Sequence, residues 1–415
     1  MKSASELPPE LYDCILDYFS EDKSTLRTCA LVTRKWLPRA RYHLFRSIYI
    51  DWSNCDAFTR LLASSPDLGA SVATLEIEGA FGIFSMDRLH GVTLDAWLRS
   101  ISPSFPPQLT NLTKLELALI TIDAELVRRF FGRLSGISHL TLWACALTSF
   151  DVFVELFASF PALKRLSIAF TQEWETNPRR PVPVPESAVL PHIEVVDLTS
   201  CCDNFKVLQW FVAHELHTAI HTFSCSRVPW SSIPVLRNVL GALAPTLRSL
   251  KVGLGENASA ADDLPCVSWA QPQQPIFTPL SALTTVTLDI QMGRLALAPF
   301  TLLLLVHLPM PALQTLTFAV KCGEYDATDN ALCTLWMRMA AATASVARAA
   351  NGLERVVVSA RERGEDGGAA GGGYPHRGGP AFDFKEMEKA VADAFVERGL
   401  GKLFVFERKD FQGYC

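Results

Sequence analysis

The chain has 415 residues, is 49% hydrophobic, and carries a formal charge of −5 at pH 7 with a pI near 6.0. That much apolar material is ample for a buried core, and the length predicts two or three domains or a single elongated solenoid. The acidic balance and the lack of a Lys/Arg-rich block give no general attraction to nucleic acid or to an anionic membrane, so neither is an expected partner.

From Met1 to Glu10 the chain is polar and then helix-starting, which is not the basic-then-apolar order of a secretory leader, so a reducing cytoplasmic or nuclear compartment is expected. Pro8 and Pro9 fix φ near the helical value and Glu10 suits a first turn, which predicts a helix from about Pro9. Leu11, Cys14, Ile15, Tyr18 and Phe19 then recur at helical spacing, with Asp13, Asp17 and Glu21 on the wet side. Ser24 is the expected N-cap of a second helix, in which Leu26, Cys29, Ala30 and Thr33 share one side while Leu31 and Val32 lie off it. Apolar residues on two sides imply two contacts. A third helix is expected over Trp36, Leu37, Ala40, Leu44 and Phe45, with Pro38 in its first turn and a basic flank of Arg34, Lys35, Arg39, Arg41 and Arg46. About 40 residues in three helices make a small core, and a plain helical cap is the simplest reading of this pattern.

The run Leu7-Pro8-Pro9-Glu10-Leu11 through Leu16, followed by Leu26-Arg27-Thr28-Cys29-Ala30-Leu31-Val32-Thr33-Arg34-Lys35-Trp36 and Leu37 to Phe45, resembles the F-box, in the form found in many fungal F-box proteins. Thr33 stands where that family often has Cys, and Phe19 where many members have Leu. The resemblance covers about a tenth of the chain. It implies a head, residues 1–48, that docks on the Skp-type adaptor of a cullin-RING ubiquitin ligase through Leu7, Pro8, Ile15, Leu16, Leu26, Leu31, Val32 and Trp36. Which of these face the adaptor and which the head's own core is left open.

After the head a short apolar phrase repeats. It reads Val72-x-x-Leu75-x-Ile77, then starts again at Leu112, Ile137, Leu163, Ile193, Ile220, Leu247, Leu283, Leu313 and Leu353, with a weaker last copy at Leu400. The alternating pair closing each phrase predicts a short strand with one buried side, and the first residue anchors the turn leading in. Helical stretches at Ala124–Leu134, Asp151–Phe160, Lys206–His217, Pro234–Leu243 and Ala331–Ala349 lie between phrases. Strand then helix, repeated, predicts an α/β solenoid with parallel strands over residues 49–415. The phrase resembles a degenerate leucine-rich repeat, and Cys145 and Cys201 fall at its Asn/Cys position, where the side chain would meet backbone groups at the turn. A doubly wound sheet is the rival reading, but no Gly-rich phosphate loop follows any strand.

Departures from the repeat are read as insertions: extended loops near 171–187 and 255–275, and a disordered Gly-rich insert near 361–380, after which Phe382–Val396 returns as a terminal helix. Leu295–Val306 is the longest apolar stretch; interrupted by Pro299, it falls short of the ~20 residues a membrane span needs and reads as buried helix. The 11 cysteines show no Cys-x-x-Cys pair and read as buried small hydrophobes. His214, His217 and His221 are the one arrangement resembling a metal set, but the spacing is not that of a zincin and His221 belongs to the next strand, so no metal or cofactor is expected.

The residues between each strand's buried pair, Glu76, Glu116, Thr141, Ser167, Asp197, Ser224, Lys251, Thr287 and Thr317, form the expected open face of the sheet and the expected substrate surface. No nucleophile elbow, zincin or phosphate-loop spacing is found, so no catalytic role is expected; the F-box resemblance implies a substrate receptor that joins a Skp-type adaptor and, through it, a cullin to a protein target. A non-ligase F-box scaffold, or a repeat-based protein-binding module without catalytic activity, is the alternative.

Overall fold

The computed structural model describes residues 8–79, 94–102, 104–169, 189–199, 204–228, 232–254, 279–291, 304–305, 309–322, 330–350, 352–362 and 384–409. The loops expected near 171–187 and 255–275 lie outside these residues, as does the insert near 361–380 apart from Arg361 and Glu362, which continue a strand instead of opening a loop. Of the apolar stretch from Leu295, Leu304 and Leu305 are described, and both are buried. The chain forms two compact units, Met1–His192 and Ile193–Cys415.

The first unit opens with helices α1 (Pro9–Tyr18), α2 (Lys23–Val32) and α3 (Leu37–Arg46). Pro9 and Pro38 sit in first turns, where a missing N–H costs nothing. The cap of α2 is Asp22, not Ser24: its carboxylate accepts from the Thr25 N–H at 3.0 Å and from the Thr25 hydroxyl at 2.6 Å, and these bonds hold its pKa down. Leu16, Leu26, Cys29 and Ala40 form the small core, with Phe19, Ala30, Trp36 and Leu44 packed around it.

The α3 helix passes into the sheet with no linker, because Arg46 ends the helix and Ser47 starts strand β1 (Ser47–Ile50). The Arg46 carbonyl already accepts from the Ala73 N–H at 2.9 Å, so the helix end supplies the first rung of the sheet. The expected boundary near residue 48 falls at this seam, inside the first compact unit. There follow α4 (Cys55–Ser64), β2 (Thr74–Glu78), α5 (Leu94–Ser100), β3 (Lys114–Ala118), β4 (Thr121–Ile122), α6 (Ala124–Arg129), β5 (His139–Trp143), β6 (Ala146–Leu147), α7 (Phe150–Ala158) and β7 (Arg165–Ala169). Strands β1-β2-β3-β5-β7 are neighbours in that order and all parallel, and β4 and β6 pair separately.

The second unit contains β8 (Val195–Thr199), α8 (Asn204–Ala213), β9 (Thr222–Val228), α9 (Ile233–Leu243), β10 (Ser249–Leu254), β11 (Thr285–Gln291), β12 (Thr315–Cys322), α10 (Asn330–Ala349), β13 (Arg355–Glu362), α11 (Phe384–Glu397) and β14 (Phe404–Lys409). Its strands are again parallel and in sequence order. A doubly wound sheet would reverse its strand order at a switch point, and neither unit does so. The architecture is an α/β, solenoid-like strand repeat behind a three-helix head.

Each repeat is built the same way. The two residues closing a phrase, such as Leu115 and Leu117 or Leu140 and Leu142, are buried, and each entry residue from Val72 to Leu313 is buried beneath the turn. One entry carbonyl takes both N–H groups of the next strand start, as Thr113 does from Ser138 at 2.8 Å and His139 at 3.0 Å, so consecutive repeats are locked in register. After β3 and β5 the chain turns through Leu119 (φ 56°) and Ala144 (φ 49°), both in the left-handed region. At the same repeat position after β2 stands Gly79, where a Cβ would meet the Leu119 carbonyl oxygen at 2.2 Å. Asp123 and Ser149 then cap α6 and α7. Cys145 does what its position predicted: its thiol donates to the Leu117 carbonyl at 3.2 Å. Cys201 lies outside the described residues. The last helix, α11, buries Met387, Val391 and Phe395, and the Phe395 ring stacks on Phe404 with centroids 5.1 Å apart, covering the end of the repeat.

Candidate partner-binding surfaces

The head presents its apolar stripe outward. On α1 the core takes Leu16, with Tyr12 against the Trp36 ring at 5.9 Å, while Leu11, Cys14, Ile15 and Tyr18 are exposed. What orients the helix this way is a charged contact. Asp17, expected on the wet side, accepts from Arg39 Nε at 2.6 Å and Nη2 at 2.7 Å, and His43 Nε2 lies 2.7 Å from the same carboxylate. These hydrogen bonds, Arg39 first and His43 second, hold the Asp17 pKa at about 2. With that side of α1 tied to α3, the apolar side is left to solvent, and Leu11, Cys14, Ile15, Tyr18 and Phe19 line an open groove of about 470 Å³.

The C-terminal end of α2 adds a second exposed apolar element. Leu31 is 88% exposed and Val32 62% exposed, against complete burial of Leu16 and Leu26. The residues expected to meet an adaptor thus separate. Leu16 and Leu26 build the head's core, Trp36 is half-buried at its edge, Pro8, Ile15, Leu31 and Val32 are accessible, and Leu7 lies outside the described residues. The periodic apolar side of α1 also carries Leu11, Cys14 and Tyr18, and these too are exposed. Periodicity identifies an apolar face but not what covers it.

In the repeat body the open-face residues are brought into rows by register. Tyr49, Glu76, Glu116, Thr141 and Ser167 pair strand to strand in the first unit. Asp197, Ser224, Lys251, Thr287 and Thr317 do so in the second. The first row is crowded with carboxylates: burial and the nearby Glu116 and Glu78 push the Glu76 pKa up, while Lys114 pairs with Glu116. Tyr49 donates to Glu78 at 2.7 Å, and burial together with that carboxylate keeps its proton on. In the second row Lys251 reaches Asp289 at 3.4 Å, leaving a hydroxyl-rich surface around it.

The three histidines do not share a helix face. The α8 helix ends at Ala213, Glu215 turns through φ 58°, His217 lies in the short 3-10 turn of 216–219, and His221 precedes β9 with Nε2 3.9 Å from Glu194. Among the described residues no group of three or more His, Cys, Asp or Glu side chains is placed to hold a metal ion, and no helix is long and apolar enough to cross a membrane.

No protein-family model matches the chain, and no curated protein matches it. Among solved structures it is similar to a chain in the crystal structure of the Rad7 and Elc1 complex in yeast, with 14% identity, a TM-score of 0.32, and coverage of 91% of this chain and 97% of that chain. At that TM-score the likeness adds nothing to the fold and surfaces described above.

Proposed function

We propose that the chain is a non-catalytic receptor subunit of a Skp-cullin-F-box type ubiquitin ligase, working in the cytoplasm or nucleus. The head binds a Skp-type adaptor, and the repeat body holds a protein to be ubiquitinated. The observation that carries the reading is the free apolar surface of Leu11, Ile15, Tyr18, Leu31 and Val32 on a head whose core is already satisfied by Leu16, Leu26, Cys29 and Ala40. Large apolar side chains left in water on two helices of one small head are the composition of an interface core. The F-box resemblance of residues 7–45 supports a Skp-type adaptor as the partner that covers them.

No chemistry is required of this subunit. Holding a target near a ubiquitin-charged enzyme raises the effective concentration of its lysines, and other subunits supply the catalysis. The test is co-expression with a Skp-type adaptor followed by size-exclusion chromatography, for the wild type and for the double variant Ile15→Glu/Leu31→Glu. A one-to-one complex that the double variant loses, while its circular dichroism is unchanged, supports the reading. A complex that survives both charges, or none at all with the folded wild type, overturns it.

A further inference from the structure

The strand entries of the first unit carry a concentration of basic side chains that the chain's overall acidity hides. Lys114, His139 and Arg165 occupy the same register position on β3, β5 and β7, each directly paired with the next. Adjacent strands are about 4.8 Å apart, so three basic groups stand within reach of one anion. Lys164 lies one residue before Arg165, and no acidic residue occupies the paired starting positions Ser47, Thr74, Lys114, His139 and Arg165.

The imidazole of His139 is oriented by its neighbour. Ser138 Oγ lies within hydrogen-bond reach of both the Thr113 carbonyl, at 3.1 Å, and His139 Nδ1, at 2.9 Å. These contacts hold the ring in place, and a neutral imidazole has one ring nitrogen left to gain a proton. Burial, Arg165 and Lys114 together lower the His139 pKa, so the ring resists that proton while the position between them is empty. An anion seated there reverses the balance, because it replaces like-charge repulsion by attraction.

We propose that the strand-entry side of β3, β5 and β7 binds an anionic side chain of a protein partner, a phosphoryl or a carboxylate group, with His139 taking up a proton as it binds. Arg165 offers the planar fork suited to either anion. Lys114 is shared with Glu116, which opposes the ligand and sets its affinity. The inference rests on the reading of the repeat body as the partner-binding part and names the charge class of what it holds. It predicts tighter binding as pH falls toward 6, since the bound state holds one more proton than the free state.

The experiment is a histidine NMR titration of the full chain without adaptor, with the His139 signal identified by His139→Gln. The probes are a phosphoserine peptide, the same peptide with Ser and with Glu at that position, and sodium chloride at matched ionic strength. The expected result is a rise of roughly one unit in the His139 midpoint with the phosphoserine or the Glu peptide, beyond the salt control. That rise should be lost in Arg165→Gln and enlarged in Glu116→Gln. A response to the phosphoserine peptide alone assigns the phosphoryl group, and a response to both assigns either anion. No rise beyond salt overturns the site, and a larger rise with a single-stranded oligonucleotide of equal charge overturns the assignment to a protein partner. Adaptor binding is read from Ile15 and Leu31 on the head, so failure of either proposal is visible separately from the other.

Discussion

Asp17 and Arg39 are joined by two parallel hydrogen bonds, Nε to Oδ1 at 2.6 Å and Nη2 to Oδ2 at 2.7 Å, and this fork fixes which side of α1 meets α3. Asp17→Asn should therefore destabilise the head. The carboxylate is largely solvated, so the loss expected at pH 7 is about 1 kcal/mol, well below what an unscreened shift would give. A pKa lowered to about 2 means this stability is present above the ordinary carboxylate range near 4 and is lost as pH falls from there toward 2. Urea unfolding of wild type and variant should diverge at pH 7 and converge near pH 2.

Leu16 and Leu31 should behave oppositely. Leu16→Ala leaves a cavity in a fully buried site and should cost about 2–5 kcal/mol of head stability, whereas Leu31→Ala should change stability by less than about 0.5 kcal/mol. Adaptor affinity should follow the reverse pattern, with Leu31→Ala weakening it by about 1–2 kcal/mol if Leu31 is part of the contact core. Thermal unfolding and calorimetric titration of the two variants measure both quantities.

Cys145 is fully buried and donates to a backbone oxygen. Cys145→Val should remove the thiol's bond to a carbonyl that also belongs to the β3–β5 ladder and cost about 1 kcal/mol, while Cys145→Asn keeps a donor and should lose less. Chemical denaturation of both variants checks the order.

Ala144 turns through φ 49°, a conformation that strains an L-residue by about 1–2 kcal/mol. Ala144→Gly should be neutral or stabilise by up to about 1 kcal/mol, since relief of strain offsets glycine's greater unfolded freedom. Gly79→Ala, at the same repeat position, should destabilise instead, because its Cβ would meet the Leu119 carbonyl oxygen at 2.2 Å. Melting temperatures of the pair decide.

The repeat was legible because each strand displays its burial directly: Leu115-x-Leu117 can only be read one way when alternation has period two. The same logic would have revealed β1, since Phe45-x-x-Ile48-x-Ile50 is another copy of the phrase, and Ile48 and Ile50 pair with Leu75 and Ile77. It is masked in the sequence because its entry residue lies in the last turn of α3. Strands β4 and β6 have two residues each, too few for any period. On the head, the stripe Leu11, Cys14, Ile15 and Tyr18 is legible from its period but what covers it is not, because one helix's periodicity carries no information about the Asp17 contact 22 residues away that turns it outward. Asp22 preceded the expected cap by two residues, and its two bonds to Thr25 decided the boundary.

The seam at Arg46 and Ser47 removes angular slack from the first unit. A hinge there would let whatever the head grips swing over a cone, and only encounter frequency would choose among a bound target's lysines. With the helix end already serving as a rung of the sheet, the proposed function would have a target on β1 to β7 presented on one bearing, and selection of a lysine would then be a matter of reach and direction. A short flexible insertion after Arg46 should broaden the set of modified lysines without weakening either grip.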